Sequence, residues 1–473
     1  MAKKEFIPVA DSCEIQSRTI KNFLNTEIKD FATYVVQNRA VPNIMDGLRV
    51  GARKLLYAAL IGDLKNGKKD KLQALTGDAL KLAYHHGDAS LYSTVVSLSS
   101  KHLFNIAPLE VLGQIGTLRV PDVTTAARYL SIRHSQYIDI FKADWDLLIE
   151  QEEDGKAIEP RFLLPIIPVQ LLWRTNSPGF GFSYRCFSYD LNDVIDATLE
   201  AVRNGSCDLL NHIELRPRIE GIKEENLIWH NEKQCWYNVG EYTFSEEEDW
   251  FCVKELPFDV TYKSYEEHLQ KLKESYYILD FVNRSMNGQI NYLIRFPKGR
   301  LKLLMAQKIK FFNNLKLFSR IKSNTLNAID TNGKSIIHFD TPQQLIDCFV
   351  RKRLHFYDLR KSKTIESIKL KIEELSYKAK FIDLVINDKL IINKRPIVDI
   401  KIDLDKHQLP YDVLKMSVYN LTKEKYEELL KEIADNKYQL EYISNTSIQD
   451  MYVDDLIELK RKYCSEFFEE NIA

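Results

Sequence analysis

Apolar residues recur at helical spacing in the first hundred residues, and turn-forming residues interrupt them at short intervals. The pattern predicts helices over 19–38, 49–60 and 71–83, with breaks at Pro42 and in the glycine-bearing stretch 62–67. Short helices that are joined by tight turns and carry basic residues are typical of a helix-turn-helix module. We therefore expect such a module in the first third of the chain.

The middle of the chain has the pattern of strands. Residues 160–187 are rich in proline, glycine and aromatic residues and predict strands and loops. Segments 234–242, 250–256 and 289–296 are alternating runs bounded by charged or glycine-bearing turns, and a helix is predicted over 264–276 between them. This region is predicted to be α+β.

The last third changes to the spacing of coiled-coil seams, with apolar residues at alternating steps of three and four. The first seam passes through Ile365, Ile368, Ile372, Leu375, Ala379, Ile382 and Ile386. The second passes through Tyr426, Leu429, Ile433, Asn436, Leu440 and Ile443. An irregular segment with two prolines separates them, so they could form an antiparallel pair capped by a small tip. Two ordinary amphipathic helices packed on a domain fit the spacing equally well.

The length of the chain indicates how many domains to expect, and its charge distribution indicates a candidate binding face. A chain of 473 residues is too long for one compact core and indicates two to four domains. The formal net charge of −1 does not indicate nucleic-acid binding. Residues 39–81 nevertheless contain nine Lys and Arg against four Asp, whereas the last fifty residues are acidic in balance. Lysine runs of this kind are also common on solvated helix faces.

Several classes of protein are disfavoured by what the sequence lacks. The seven cysteines are scattered and never form C-x-x-C, which argues against a disulfide framework or a zinc site. No apolar run approaches the roughly 20 residues of a membrane-spanning helix, and no secretory signal is visible, so we expect no membrane partner and a cytoplasmic location. The sequence has no phosphate-binding G-x-x-x-x-G-K-[ST] loop and no acidic cluster typical of Mg²⁺. An ATP-driven reaction would need another chain.

Three short segments carry candidate chemistry. In 39–57, Arg49 and Arg53 are four residues apart on one predicted helical face, where they could grip successive phosphates. In 84–88, two adjacent histidines precede a glycine; phosphate contact, proton transfer, a metal site or a helix cap would each explain them. In 126–133, Arg128 precedes Tyr129, one tyrosine among 24 and by itself weak evidence for a nucleophile.

Together and in this order, the segments resemble the breakage-reunion subunits of type IIA DNA topoisomerases, the family of gyrase, topoisomerase IV and eukaryotic topoisomerase II. The pattern R-x-x-P-x-x-x-D-G-x-[KR]-x-x-x-R-[KR] is matched by residues 39–54, Y-H-H-G-[DE] by 84–88 and A-A-R-Y by 126–129. Residues 113–117 match G-x-[FI]-G-[ST]. Segments 159–168, 255–257 and 414–422 are similar to the approach to the family's DNA-bending loop, its tower signature and its second coiled-coil strand.

The resemblance implies covalent chemistry at Tyr129. Its phenol would attack a phosphodiester and leave a 5′-phosphotyrosyl enzyme, which conserves the bond energy for resealing. Arg128 would stabilise the transition state. DNA contacts are implied for Arg39, Arg49, Arg53, Lys54, His85, His86 and Arg133. Mg²⁺ would be held mainly by a Toprim domain of a partner subunit, which would also use the ATP.

The expected DNA-bending loop departs from the family pattern. Where the family carries an isoleucine that wedges between base pairs, this chain reads T-N-S-P-G-F-G from residue 175, with Pro178 at the isoleucine position and Phe180 close by. Either ring is a workable intercalating wedge. Both could instead be loop-packing residues.

The resemblance implies an α+β, mostly helical, multidomain fold. It predicts a partner-docking N-terminal arm over 1–30, a winged-helix (helix-turn-helix) DNA-cleavage domain over 31–158 and an α/β tower domain over 159–343. A long antiparallel coiled coil with a C-terminal dimer gate is expected over 344–473.

The expected partners are double-stranded DNA, a second copy of the chain bound through the C-terminal gate, and a large subunit with ATPase and Toprim domains. The short length, with no ATPase or Mg²⁺-binding domain of its own, is most similar to the phage members of the family, which divide their activities over separate chains. This implies the host cell cytoplasm. The competing hypothesis is a non-catalytic, architectural DNA-binding coiled-coil protein on the same scaffold.

Overall fold

The structure is a computed structural model, which describes residues 19–62, 64, 67–121, 125–207, 215–233, 235–286, 288–321, 324–392, 395–417 and 421–464. The first element is a continuous helical stretch whose second and fourth segments have π-type hydrogen bonds: Ile20–Phe23 (α1), Leu24–Ile28, Lys29–Val35 (α2) and Val36–Ala40. It ends just before Pro42, as the sequence predicted.

Three helices and a small antiparallel sheet follow. They are α3 (Val50–Ile61), β1 (Asp70–Lys71), α4 (Leu72–Leu80), α5 (Asp88–Ser99), β2 (Leu109–Leu112) and β3 (Ser131–His134). The sheet order is β1-β3-β2. The predicted helices of this region are confirmed, and α5 is an additional one. Since the central strand β3 pairs on both sides, through Asp70↔Ile132 and Val111↔Ile132, the start of β3 is a firmly held position.

Short hairpins and one helix lead out of this region. They are β4 (Glu152–Glu153), β5 (Lys156–Ala157), β6 (Thr175–Ser177), β7 (Tyr184–Cys186) and α6 (Leu191–Asn204). The Asp190 side chain caps α6 by accepting a hydrogen bond from the amide of Asn192 at 2.9 Å. The prediction of strands and loops over 160–187 is confirmed.

The middle of the chain forms a second packed body of antiparallel sheets and helices. Its elements are β8 (Leu227–His230), β9 (Cys235–Val239), β10 (Tyr242–Ser245), β11 (Trp250–Val253), α7 (Tyr262–Glu274), β12 (Asp280–Asn283), β13 (Tyr292–Arg295), α8 (Arg300–Met305), α9 (Lys308–Asn314) and β14 (Phe318–Arg320). The next hairpin, β15 (Leu326–Ile329) and β16 (Ile336–Phe339), packs instead on the core of the first helices, through Leu326, Ala328 and Phe339. The sheet orders are β10-β11-β13-β12, β14-β9-β8 and β15-β16. A separate core forms around the rings of Phe251, Tyr265, Tyr292 and Phe311, so the predicted α+β character is confirmed.

The C-terminal part is helical. It consists of α10 (Pro342–Ile386), α11 (Ile397–Lys406), α12 (Lys423–Asn445) and α13 (Ile448–Tyr463). Lys371 pairs with Glu432 at 3.1 Å, and the Lys361 ammonium donates to the carbonyl of Thr446 at 2.8 Å, so α10 and α12 run antiparallel. Of the two arrangements that the spacing left open, the structure has the antiparallel pair of helices.

The packed part of the α10–α12 contact is shorter than the predicted seams. Its buried residues are Leu375, Ala379, Ile382, Leu429 and Ile433. Ile365 and Ile368, which open the first predicted seam, are only half-buried and lie outside this cluster. The helix pair is therefore well packed at the end that leads to α11 and more open at the end that holds Ile365 and Ile368.

The last helix, α13, packs against the first body, which consists of helices α3 to α6 and the small β1-β3-β2 sheet. Tyr452 is fully buried, stacks on Tyr357 with ring centroids 4.5 Å apart, and donates its hydroxyl hydrogen to the carbonyl of Ile166 at 2.6 Å. One hydrophobic core consequently joins the first helices, α6, the start of α10 and α13. It unites residues that the domain prediction placed in three separate domains.

Two sequence expectations concern cysteines and membranes. The six cysteines within the described residues are free thiols, and Cys13 lies outside them. No helix in the described part of the chain combines the length and apolarity needed to cross a bilayer.

Candidate active site

Tyr129 lies on a short 3-10 turn, Ala127–Tyr129, immediately before the central strand of the small sheet. The neighbouring Leu130 is buried and fixes this turn to the core, while 71% of the Tyr129 side chain is exposed. Its hydroxyl forms no hydrogen bond with any residue that the structure describes. The phenol is therefore fixed at its backbone and open to a large substrate.

Arg128 is the cation next to this phenol. Its guanidinium carbon lies 5.4 Å from the centroid of the Tyr129 ring, and the side chain is exposed. A positive charge at this distance can stabilise negative charge on an oxygen that reacts at the phenol. The predicted pair is thus present as a unit.

A wide cleft of about 810 Å³ lies beside the N-terminal helix. Three groups meet in it: the Tyr34 hydroxyl lies 2.8 Å from Nε2 of His86, and the Arg39 guanidinium lies 2.9 Å from Nδ1 of the same ring. Burial, followed by the charges of Arg39 and His85, lowers the pKa of His86. At neutral pH this imidazole is uncharged and can both donate and accept a hydrogen bond.

His85 and His86 are adjacent in sequence but face different partners. The Nε2 atom of His85 lies 2.8 Å from a carboxylate oxygen of Glu153 on β4, and the ring is largely exposed. This hydrogen-bonded pair lines one wall of the cleft. His86 is therefore the histidine that shares a site with Arg39.

Arg49 is placed at the N-cap of α3 and points along the wall of the cleft. Its guanidinium donates to the Ser177 hydroxyl at 3.3 Å and stands 5.8 Å from the centroid of the Trp173 ring. Burial lowers the pKa of Arg49, since no carboxylate pairs with it among the described residues. A partly buried guanidinium without a carboxylate partner is suited to an incoming anion such as a phosphate.

The structure places Arg53 and Lys54 in internal ion pairs. Arg53 is only 5% exposed, and its guanidinium makes a two-pronged ion pair with Asp46 at 2.6 and 3.1 Å. The Lys54 ammonium is equally buried and pairs with Glu159 at 2.7 Å. Both cations line the cleft, and each is paired with an internal carboxylate. Their contact with DNA stays a prediction.

These ion pairs shape the loop that carries the first motif. The buried carboxylate of Asp46 also accepts hydrogen bonds from the amides of Leu48 and Leu163, both at 3.0 Å. Gly47 has φ +64°, and a Cβ there would lie 2.5 Å from the backbone nitrogen of Gln170, so the position requires glycine. The motif residues Asp46 and Gly47 thus act by holding the loop in place.

The expected wedge residues lie at the tip of the β6–β7 hairpin. Pro178 is exposed, and the Phe180 ring is 51% exposed with its edge against Phe31, at 5.7 Å between centroids. A Cβ on Gly179 would come within 2.8 Å of the Cβ of Ala40, so the hairpin lies closely against the helix that presents Arg39. Two apolar rings therefore project beside the cleft.

Arg133 lies on β3, away from the cleft. Its guanidinium forms two hydrogen bonds with Glu110, at 2.8 and 2.9 Å, on an exposed face of the small sheet. Neither Arg133 nor the Arg128-Tyr129 pair is among the residues that line the cleft. The structure thus brings together Arg39, Arg49 and His86, and places the phenol elsewhere.

Sequence reasoning missed several residues of this site. Tyr34 could have been found, since it lies in the predicted helix 19–38, five positions before Arg39. Trp173 and Ser177 carry no sequence signal, because only the folded hairpin brings them to Arg49. Among the described residues there is no group of three or more His, Cys, Asp and Glu side chains that could hold a metal ion.

Comparisons with known proteins place this arrangement in a family context. The family model for the A-type subunits of DNA gyrase and topoisomerase IV matches residues 39–460. DNA topoisomerase 2 of Plasmodium falciparum is 27% identical over 486 residues, which cover 92% of this chain and 34% of that protein. DNA topoisomerase medium subunit of Enterobacteria phage T4 is 24% identical over 458 residues, covering 94% of this chain and 100% of that protein.

A solved structure gives a consistent match. The crystal structure of the Plasmodium falciparum topoisomerase II DNA-binding, cleavage and re-ligation domain superposes with a TM-score of 0.78 at 26% identity, over 95% of this chain and 66% of that one. The chain spans about a third of the Plasmodium relative and all of the phage relative.

Proposed function

The chain belongs to the family of the A-type subunits of DNA gyrase and topoisomerase IV, and we propose that it is the DNA-breaking and rejoining subunit of an ATP-dependent type II DNA topoisomerase. The observation that carries this proposal is the exposed Arg128-Tyr129 pair at the start of a firmly held strand. A non-catalytic architectural protein would need the basic cleft but would have no use for an exposed phenol beside a guanidinium.

In the proposed reaction, the Tyr129 oxygen loses its proton and bonds to a backbone phosphorus, the bond from phosphorus to the 3′-oxygen breaks, and the 3′-oxygen takes up a proton to become a hydroxyl. One phosphodiester bond is exchanged for another, so no external energy is needed to reverse the step. Negative charge develops on the oxygens around phosphorus in the transition state, and a neighbouring cation stabilises that charge. Arg128 supplies that cation. Two such breaks in opposite strands would open a gate for a second duplex.

The cleft is proposed to hold the DNA backbone close to the break. Arg39, Arg49 and His86 are the groups proposed to reach phosphate oxygens there. His85, on the wall of the cleft, and Arg133, on the exposed face of the small sheet, stay predicted DNA contacts. Arg53 and Lys54 contribute by fixing the loop between Arg39 and Arg49. Since Tyr129 does not line this cleft, the complete site is proposed to form only when another chain is added.

Architecture supports the finer assignments. The three helices α3 to α5 with the β1-β3-β2 sheet fit a winged-helix cleavage domain, and the second body fits the tower. The antiparallel α10–α12 pair fits a coiled coil. At its far end, exposed apolar side chains of α11, including Ile397, Val398 and Ile402, fit a gate that closes against a second copy of the chain.

ATP and Mg²⁺ are proposed to enter through a large partner subunit with ATPase and Toprim domains. Among the described residues there is no group of three or more His, Cys, Asp and Glu side chains that could hold the ion, and the partner's Toprim domain is proposed to supply its ligands. The predicted docking arm, 1–30, lies largely outside the described residues; its described end exposes Ile20, Phe23 and Leu24, which suits a protein contact. The host cell cytoplasm remains the proposed location.

The function is tested by covalent capture. The full chain is mixed with its ATPase and Toprim partner, Mg²⁺, and a duplex labelled at either the 5′ or the 3′ ends, and then denatured in detergent after addition of a cleavage-trapping drug. We expect protein attached to the 5′ ends and free 3′-hydroxyls. Attachment to 3′ ends, or no attachment, would contradict the proposal.

The hairpin gives a second test, of DNA bending. We expect Phe180→Ala and Pro178→Ala each to reduce the bend angle of bound DNA, measured by energy transfer between end-labelled fluorophores, because an inserted ring unstacks a base step. Phe244→Ala is the matched control, since Phe244 is an exposed ring on β10 of the second body. An unchanged bend with both hairpin variants would show that these rings only pack the loop.

A further inference from the structure

The segment that leads to Tyr129 is attached to the second body at its midpoint. It leaves β2 at Gly113 and turns sharply at Thr117–Val120, where the Thr117 amide donates to the Val120 carbonyl at 3.0 Å and the Val120 amide donates to the Thr117 carbonyl at 3.2 Å. The tip of this turn holds Leu118 and Arg119. Both point into the second body and not toward the small sheet.

Arg119 makes an unusually complete set of contacts there. Its side chain is nearly buried, and one guanidinium nitrogen donates to the carbonyls of Pro257 and Val260, the latter at 2.9 Å. The other nitrogen donates to the Leu256 carbonyl and pairs with the Glu255 carboxylate. Four acceptors from one short segment, 255–260, therefore surround a single guanidinium.

The main chain and an apolar side chain reinforce this attachment. The amide of Tyr262, at the start of α7, donates to the carbonyl of Arg119 at 3.2 Å. Leu118 packs against the cluster that contains Ile219, Ile222 and Phe258. The turn is thus held by charge, by backbone hydrogen bonds and by apolar contact at once.

The receiving segment is itself well fixed. The amides of Lys254 and Glu255 both donate to the carbonyl of Glu241, and a Cβ on Gly240 would lie 2.5 Å from the carbonyl oxygen of Glu255. The Thr261–Ser264 capping box then starts α7. Because residues 255–262 are rigidly held on the second body, a change in that body's orientation would move the chain segment that contains Arg119 and leads to Tyr129.

We propose that Arg119 is a positioning residue which locks the Tyr129 segment onto residues 255–262, so that the orientation of the second body sets how Tyr129 is presented to DNA. Ten positions separate Arg119 from Tyr129, and the far end of the segment is fixed by pairing of β3. Residues 122–124 of this segment lie outside the described residues. Among 113–121 and 125–131, both ends and the turn at Thr117–Val120 are held, and this turn is attached to the second body. The proposal rests on the proposed cleavage function.

Arginine is needed for this role because of its planar fork of donors. A lysine could pair with Glu255 but could not reach carbonyls on both sides of the segment at the same time. Glu255→Gln would keep an acceptor for the fork and lose the charge. The series Arg119→Lys, Glu255→Gln and Arg119→Ala therefore weakens the lock in steps.

The test measures adduct formation and DNA affinity separately, in the complete complex with Mg²⁺ and the partner subunit. At saturating DNA, we expect Arg119→Ala to slow single-turnover formation of the 5′ adduct by about 10- to 100-fold, as a reacting group displaced by about an ångström would. Arg119→Lys and Glu255→Gln should fall between this variant and the wild type. The Kd for uncleaved DNA should change less than about twofold, because the cleft is untouched.

Arg216→Ala is the matched control. Arg216 also forms a two-pronged pair, with Asp193 at 3.0 and 2.8 Å, and its side chain makes no hydrogen bond or ion pair with the described residues of the Tyr129 segment. It should leave the adduct rate per folded molecule unchanged. If Arg119→Ala matches this control, the positioning role is wrong while the proposed function stands. If the wild-type complex forms no 5′ adduct, the proposed function fails, and the positioning role with it.

Discussion

Tyr129→Phe will abolish covalent capture of DNA and lower strand cleavage by roughly four orders of magnitude or more, as removal of a nucleophile does in other enzymes. The change removes one oxygen from a side chain that is mostly exposed and makes no hydrogen bond with the described residues, so folding should be unaffected. DNA affinity should also be kept, since the proposed backbone contacts belong to Arg39, Arg49 and His86. Adduct yield, binding and thermal melting are measured on the same preparation.

Tyr276→Phe is the matched control for this substitution. Tyr276 is even more exposed, at 81%, and lies after α7 in the second body. The control should cleave at the wild-type rate. Adduct formation by Tyr129→Phe at the normal yield would remove Tyr129 from the mechanism and with it the main support for the catalytic proposal.

Asp46→Ala will destabilise the first body by about 3–5 kcal/mol, the cost of leaving a buried charge without its partner. Asp46 is fully buried and receives hydrogen bonds from Arg53, Leu48 and Leu163. Burial acts to lower the pKa of Arg53, but the charge of Asp46, its hydrogen bond to Arg53 and the charge of Glu159 together outweigh burial, so the pKa is raised in the intact protein. Without the Asp46 carboxylate, the unfavourable effect of burial is opposed by the charge of Glu159 and no longer by a direct partner.

Stability is best measured for this region alone, because a chain with several packed bodies need not unfold in one transition. Hydrogen exchange of the α3 amides reports the local free energy of opening. Asp78→Ala is the control, since Asp78 pairs with Lys81 on the surface, and no measurable change is expected. Restoration of part of the loss by Arg53→Met in the Asp46→Ala background would confirm that the unpaired charge is the cause.

A consequence for binding follows from the same loop. The segment between Arg39 and Arg49 is held by Asp46 and by the Ile44 amide, which donates to the carbonyl of Ile329 at 2.9 Å. Loosening it should disorder the groups proposed to contact phosphate. Asp46→Ala should therefore weaken DNA binding although Asp46 itself is acidic and cannot touch a phosphate favourably, whereas an effect of charge alone would strengthen it. An increased affinity would contradict this account of the loop.

The sequence by itself determined the local elements and the chemical candidates. The spacing of apolar residues located helices α3, α4 and α7 and the two helices of the C-terminal pair, because helix periodicity depends on neighbours within one or two turns. Motif order identified the family that the match over residues 39–460 confirmed. The Arg128-Tyr129 pair was readable for the same reason, since adjacent residues are necessarily close in space.

Only the tertiary structure decided which cations are available. Arg49 is the N-cap of α3 and Arg53 lies in its first turn, yet Arg53 is paired with Asp46 while Arg49 has no carboxylate partner among the described residues. Lys54 is neutralised by Glu159, which lies 105 positions away in the chain. His85 and His86 likewise diverge to different partners. Spacing fixes the direction of a side chain around its own helix, but burial and ion pairing depend on distant segments that meet only in the folded chain.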